Sequence, residues 1–103
     1  MRDAAFILDA MDVLEADVIT FPFAKRIAAG ETISTPEVTV EVSSGVDSQP
    51  SLLKTSPPQI SGTDVLQPVV GRTAGVTYWL RCRVLGSSGK AYVESALLPM
   101  VRL

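Results

Sequence analysis

Few residues of this 103-residue chain could do chemistry, and their types and spacing argue against catalysis. The chain has no histidine, which is the commonest general base and a common metal ligand. Its single cysteine, Cys82, excludes thiolate cages for zinc and any disulfide within the chain. Two acidic pairs, Asp9 with Asp12 and Glu37 with Glu41, fall at positions that the periodicity predicts to face solvent. A solvated face explains such pairs better than a catalytic carboxylate pair does.

Two further stretches resemble binding loops only superficially. Residues 12–17 carry oxygen ligands but lack the spacing and the central glycine of a calcium loop. Residues 71–75 are glycine-rich but lead into a predicted strand, whereas a phosphate-binding loop leads into a helix. We therefore predict no catalytic residue, no metal site and no cofactor, and a chain that is not an enzyme.

Charge and hydropathy also exclude several partners. The net charge of −2 leaves no basic footprint for nucleic acid, so we expect no direct binding of DNA or RNA. The first residues lack both a signal-peptide core and a membrane span, so we expect no membrane partner and synthesis in the cytoplasm.

The elements that would position any site are predicted to be strands. The chain is 47% apolar and 19% charged with seven Gly and seven Pro, which suits one β-rich domain. Apolar residues alternate through the second half, and a glycine turn then leads into a return strand, which predicts a hairpin of a small β-sandwich with one buried face. That face comprises Val76, Tyr78, Leu80, Cys82 and Val84.

The first half predicts further strands. Val38, Val40 and Val42 alternate with polar residues, and Ile19, Phe21 and Phe23 form a similar series. Pro22 predicts an edge or a bulge for its strand, and Pro68 predicts an edge position for the strand of residues 65–70. Residues 43–63 are predicted to be loops around weak strands near residues 52–53 and 60.

The N-terminal segment has a different period. Residues 1–15 carry Phe6, Ile7, Met11 and Leu14 at helical spacing, which predicts a short helix or arm separate from the sandwich domain of residues 16–103. This apolar stripe could cover the end of its own domain or dock on another subunit, and both alternatives stay open.

Trp79, Arg81 and Arg83 alternate with the buried series and are predicted to face outward. One interpretation is a solvated sheet face with an arginine stacked on the indole, and the other is a protein contact, because Trp and Arg are enriched at interface anchors. Candidate partner contacts are therefore the apolar stripe and this outward group: Phe6, Ile7, Met11, Leu14, Trp79, Arg81 and Arg83.

Four stretches in order resemble the small immunoglobulin-like proteins encoded among the virion genes of tailed bacteriophages. They are Ala28-Ala29-Gly30-Glu31-Thr32-Ile33, then Val38-Thr39-Val40, then residues 71–78, which read GRTAGVTY, and finally Ser87-Ser88-Gly89-Lys90. The similarity covers most of residues 12–103. The chain departs from the family in two places: at Phe21-Pro22-Phe23, where the family often has an acidic-aromatic stretch with tryptophan, and at residues 1–11, which look like an extra N-terminal arm.

The resemblance implies an all-β, immunoglobulin-like β-sandwich and a structural role in the virion. It implies head decoration or a neck, collar or tail attachment, with other virion proteins (capsid, portal or tail subunits) and copies of the chain itself as partners, assembled in the bacterial host cytoplasm. The second half also resembles fibronectin type III domains, so a binding module for a cell surface or carbohydrate is the alternative.

Overall fold

Alternating apolar residues build eight strands in two packed sheets, which the computed structural model describes over residues 6–103. One short 3-10 helix, Pro50–Leu53, connects the sheets. The strands are β1 (Phe6–Ile7), β2 (Met11–Asp12), β3 (Ala16–Pro22), β4 (Ile33–Ser44), β5 (Gln59–Ser61), β6 (Asp64–Val70), β7 (Thr77–Gly86) and β8 (Ala91–Val101).

The larger sheet has β8 and β7 at its centre. The strand order is β1, β8, β7, β4. β2 also pairs with β8, at residues 100–101, further along β8 than the residues that pair with β1. β1 and β2 run parallel to β8, whereas β8, β7 and β4 are antiparallel. The smaller sheet has the order β3, β6, β5 and is antiparallel throughout. The chain is thus an all-β, immunoglobulin-like sandwich, as predicted.

The core lies between the two sheets and confirms the predicted faces. All five residues of the β7 series from Val76 to Val84 are buried, and so are Val38 and Val40 of β4, while Val42 is partly buried against them. The smaller sheet contributes the apolar side chains Ile19, Phe21, Val65 and Val69, and Phe23 follows β3.

Of the predicted helix or arm, the helix is wrong: residues 6–12 run along β8 and include β1 and β2, and Val13 and Leu14 form a turn before β3. Phe6 and Ile7 are in register with Ala96 and Leu97, and Met11 is in register with Met100. The edge of β8 supplies hydrogen-bond partners that a short helix in water would lack: Leu8 N–H donates to the Leu97 carbonyl at 2.9 Å, and Val13 N–H donates to the Val101 carbonyl at 2.9 Å.

The arm does not keep the predicted apolar stripe together. Met11 is buried in the core, but Ile7 is 73% exposed and Leu14 is 92% exposed. Ile7 pairs with Leu97 and Met11 pairs with Met100, so four steps along the arm match three along β8, and the break between β1 and β2 places the two side chains on opposite faces of the sheet. The predicted residues 1–5 of the arm and the side chain of Phe6 lie outside the described part of the chain.

Two smaller expectations need correction. The strand that contains Pro68 is the central strand of the smaller sheet rather than an edge. Pro68 is tolerated there because β5 ends before it, so no neighbouring strand needs its missing N–H. Leu52 and Leu53 lie in the 3-10 helix instead of a strand, since Pro50 fixes the helical φ at its first position. Pro22 does end an edge strand, as predicted.

Candidate functional site

The outer face of the larger sheet gathers most of the outward residues that the sequence singled out. Paired residues of neighbouring strands point to the same side of a sheet. Ile7 is in register with Leu97, and Leu97 is in register with Trp79. An apolar row therefore crosses three strands. We call this row, together with Arg81 and Arg83 further along β7, the outer patch.

The indole of Trp79 anchors the outer patch. The guanidinium carbon of Arg81 lies 5.4 Å from the centre of the Trp79 ring, within the range of a cation–π contact. The indole Nε1 is buried and has no hydrogen-bond partner in the described part of the chain. Arg81 covers the ring, as the interpretation of a stacked arginine expects. Trp79 is only half-buried, so part of it is also open to a protein contact.

The polar end of the outer patch combines both signs of charge. Arg83 is in register with Glu37 of β4 and Val93 of β8, and Arg81 is in register with Thr39. These five side chains line a shallow cavity of about 140 Å³. The arginines and Glu37 are exposed, and among residues 6–103 no ion pair within 4 Å involves them. Their charges are therefore available to a partner surface.

Met11 and Leu14 do not belong to the outer patch. Met11 points into the core, and Leu14 lies in the turn between β2 and β3. Phe6 is in register with Ala96, and its side chain is outside the described ones.

A buried polar corner supports the β7 strand beneath the outer patch. The Tyr78 ring is fully buried, and its hydroxyl donates to Asp47 Oδ2 at 2.7 Å. Arg72 Nε donates to the same oxygen at 2.9 Å. Tyr78 belongs to the face that the alternation predicted to be buried, and its hydroxyl finds a partner in the loop that carries Asp47. Hydrogen bonds from Arg72, the Gln49 N–H and Tyr78 hold the pKa of the Asp47 carboxyl well below its usual range.

A second polar cluster closes the end of the β7–β8 hairpin. The Glu31 carboxylate accepts hydrogen bonds from the hydroxyls of Ser88 and Tyr92 and from the Ala28 N–H. These bonds, led by that of Ser88, lower the pKa of Glu31 to about 2. Two stretches that carry the family resemblance, residues 28–33 and 87–90, therefore contact each other here.

Sequence reasoning missed Glu31, Asp47 and Arg72 as supporting residues. Their partners are 25 to 61 positions away along the chain. Such pairs cannot be read from local periodicity. The only local signal was a buried tyrosine that needs a hydroxyl partner.

Two side chains that could take part in chemistry, those of Cys82 and Asp12, have structural surroundings in this fold. Cys82 is buried, and burial raises the pKa of its thiol to about 12. Asp12 accepts hydrogen bonds from the backbone N–H groups of Leu14 and Leu103 and so ties the arm to the end of β8. Over residues 6–103 no three potential ligands of the His, Cys, Asp and Glu types cluster closely enough to hold a metal ion.

Comparisons with known proteins identify no relative of this chain. No protein-family model, no curated protein and no solved structure matches the chain.

In the described part of the chain, no helix has the length and apolar character needed to span a membrane.

Proposed function

We propose that this chain is a non-enzymatic structural protein of a tailed-phage particle, in which it acts through protein–protein contacts of its outer patch. The observation that carries the proposal is the apolar row of Ile7, Leu97 and Trp79 on the outer face of the larger sheet, beside Arg81 and Arg83, which form no ion pair within 4 Å among residues 6–103. Tryptophan and arginine are residue types enriched at the anchors of protein interfaces.

The particle itself is suggested by the resemblance to immunoglobulin-like virion proteins. The partners would be capsid, portal or tail subunits and further copies of this chain, at a head, neck, collar or tail position. Assembly would take place in the bacterial host cytoplasm. The sandwich would serve as a packing module, and no cofactor has a role in this proposal.

A fibronectin-type module for a cell surface or carbohydrate is the alternative. Sugars commonly stack on an open aromatic ring, and Trp79 is the aromatic residue of the outer patch. Arg81 lies over that ring, so a sugar could stack there only after the arginine moved. This geometry favours the protein contact.

The test uses substitutions that leave the core intact. Ile7→Asp and Arg83→Glu change exposed side chains of the outer patch, and Val46→Asp makes the same kind of change at an 85% exposed residue in the loop after β4. Each tagged variant would be produced in the host during phage growth, and particles would be separated from free protein by gradient sedimentation.

We expect Ile7→Asp and Arg83→Glu to lower the amount of chain in the particle fraction at least tenfold, and Val46→Asp to leave it unchanged. Circular dichroism of each purified variant controls for folding. Equal incorporation of all four chains, or no wild-type chain in the particle fraction, would contradict the proposal.

A further inference from the structure

A groove on the open side of the sandwich lies away from the outer patch. It runs between the arm and β3, with a volume of about 330 Å³. Its apolar lining includes Met11, Ile19 and Leu98, which are at most 6% exposed and belong to the core. The groove therefore reaches down to the hydrophobic layer between the sheets.

One wall of the groove is the free edge of a strand. β3 pairs with β6 on one side only and is an edge of the smaller sheet. Just outside β3, the Glu15 carbonyl accepts from Gly71 N–H and Phe23 N–H donates to Thr63, so odd-numbered residues direct their backbone groups towards β6. The even-numbered residues Val18 and Thr20 therefore direct theirs towards the groove.

This edge is partly protected against unspecific pairing. Asp17 Oδ1 accepts a hydrogen bond from the Val18 N–H at 2.7 Å, and Pro22 has no N–H to offer. Of the backbone groups of Val18 and Thr20, the Val18 carbonyl and both groups of Thr20 remain. A segment that pairs here is consequently short, about four residues or 13 Å.

The charged side chains that line the groove are both acidic. They are Asp9 on the arm and Asp17 on β3, and neither forms an ion pair within 4 Å in the described part of the chain. Val18, which is 50% exposed, adds an accessible apolar side chain to the lining. Charge complementarity thus favours a cationic occupant with an apolar side chain.

We propose that the groove binds an extended polypeptide segment in which Lys or Arg flanks an apolar residue, and that this segment adds to β3 as a fourth strand of the smaller sheet. Backbone hydrogen bonds to Thr20 and Val18 set the register, the apolar side chain enters the groove, and the flanking cations face Asp9 and Asp17. This surface is independent of the outer patch and of the proposed function.

The test uses two synthetic peptides and the full chain. An amidated and acetylated peptide Arg-Val-Thr-Val-Arg is compared with Glu-Val-Thr-Val-Glu by titration into 15N-labelled protein. We expect the basic peptide to shift the amide signals of residues 8–11 and 17–20 at submillimolar to millimolar concentration. The acidic peptide should leave these signals unchanged.

Two double variants separate the local carboxylates from overall charge. Asp9→Asn with Asp17→Asn removes both charges and keeps an oxygen acceptor for Val18 N–H, so we expect at least fivefold weaker binding of the basic peptide. Glu37→Gln with Glu41→Gln makes the same change of net charge on the other sheet and should leave binding unchanged.

A third peptide tests the backbone pairing. Arg-Val-Pro-Val-Arg lacks one N–H and should bind several-fold more weakly if the segment adds as a strand. Absence of shifts with the basic peptide, equal binding of the acidic peptide, or equal weakening in both double variants would overturn the proposal.

Discussion

Tyr78 links β7 both to the core and to the loop that carries Asp47. Its ring is buried in the core, and its hydroxyl donates a hydrogen bond to Asp47. Asp47 also forms an ion pair with Arg72. A buried aromatic ring with a satisfied hydroxyl contributes both apolar burial and a hydrogen bond to a charged acceptor. These two contributions can be separated by substitution.

We expect Tyr78→Phe to lower the free energy of unfolding by roughly 1 to 2 kcal/mol, because the ring stays packed while the hydroxyl loses its bond to Asp47 and the longer bond that it accepts from Thr73 N–H at 3.4 Å. Tyr78→Ala removes the ring as well and should cost about 3 to 5 kcal/mol. Urea unfolding followed by circular dichroism measures both. Equal costs for the two variants would show that the ring does not pack as described.

Glu31 makes stability depend on pH in the acid range. Its pKa in the folded chain is about 2, against an ordinary value of 4.5, because the carboxylate accepts bonds from Ser88, Ala28 and Tyr92. A lowered folded pKa means that the unfolded chain binds the proton more readily. The stabilisation is therefore complete above about pH 4.5 and is lost as the pH falls towards 2.

We expect Glu31→Gln to flatten this dependence, so that its urea midpoint falls less than that of the wild type between pH 6 and pH 2. Asp47 keeps part of the dependence in the variant, since its pKa is lowered as well. Glu37→Gln, at an exposed carboxylate of β4, serves as the control and should follow the wild type. Parallel curves for Glu31→Gln and the wild type would refute the role of Glu31.

The N-terminal arm is the element for which the hydrophobic periodicity predicted a helix in place of strands. Helical spacing grouped Ile7, Met11 and Leu14, yet the free edge of β8 offers backbone hydrogen bonds that fix the segment as strands. Gly71 passes so close that a Cβ there would overlap the Val13 carbonyl, which shows how tightly the end of the arm is packed.

Met11 and Leu14 distinguish the two descriptions of the arm. A helix with one buried stripe would make both important, whereas the arm buries Met11 and leaves Leu14 exposed. We expect Met11→Ala to lower the free energy of unfolding by about 2 to 4 kcal/mol. Leu14→Ala should change it by less than about 0.5 kcal/mol. Similar losses in both variants, measured by urea unfolding, would favour the helix.

Strands elsewhere were predictable because their apolar residues alternate without ambiguity. The β7 series and the Val38 to Val42 series are buried or partly buried as the period of two requires. What could not be predicted depends on pairing across the chain. Pro68 lies in a central strand only because β5 stops short of it, and the register of β1 with β8 places Ile7 beside Leu97.

The whole molecule presents two separate surfaces on one rigid core. The outer patch could be predicted in part, since Trp79, Arg81 and Arg83 share a strand face in the sequence itself. Its extension to Ile7 needed the parallel pairing of the arm. The groove beside β3 is formed by elements from both sheets, so no local pattern points to it.

The central claim is that the chain is a building block of a phage particle. The most direct measurement is quantitative mass spectrometry of particles purified from the host in which this chain is made, with the major capsid protein as internal reference. The account predicts many copies of the chain per particle and their retention through repeated gradient purification. Absence of the chain from purified particles, while it accumulates as free folded protein in the same lysate, would contradict the account.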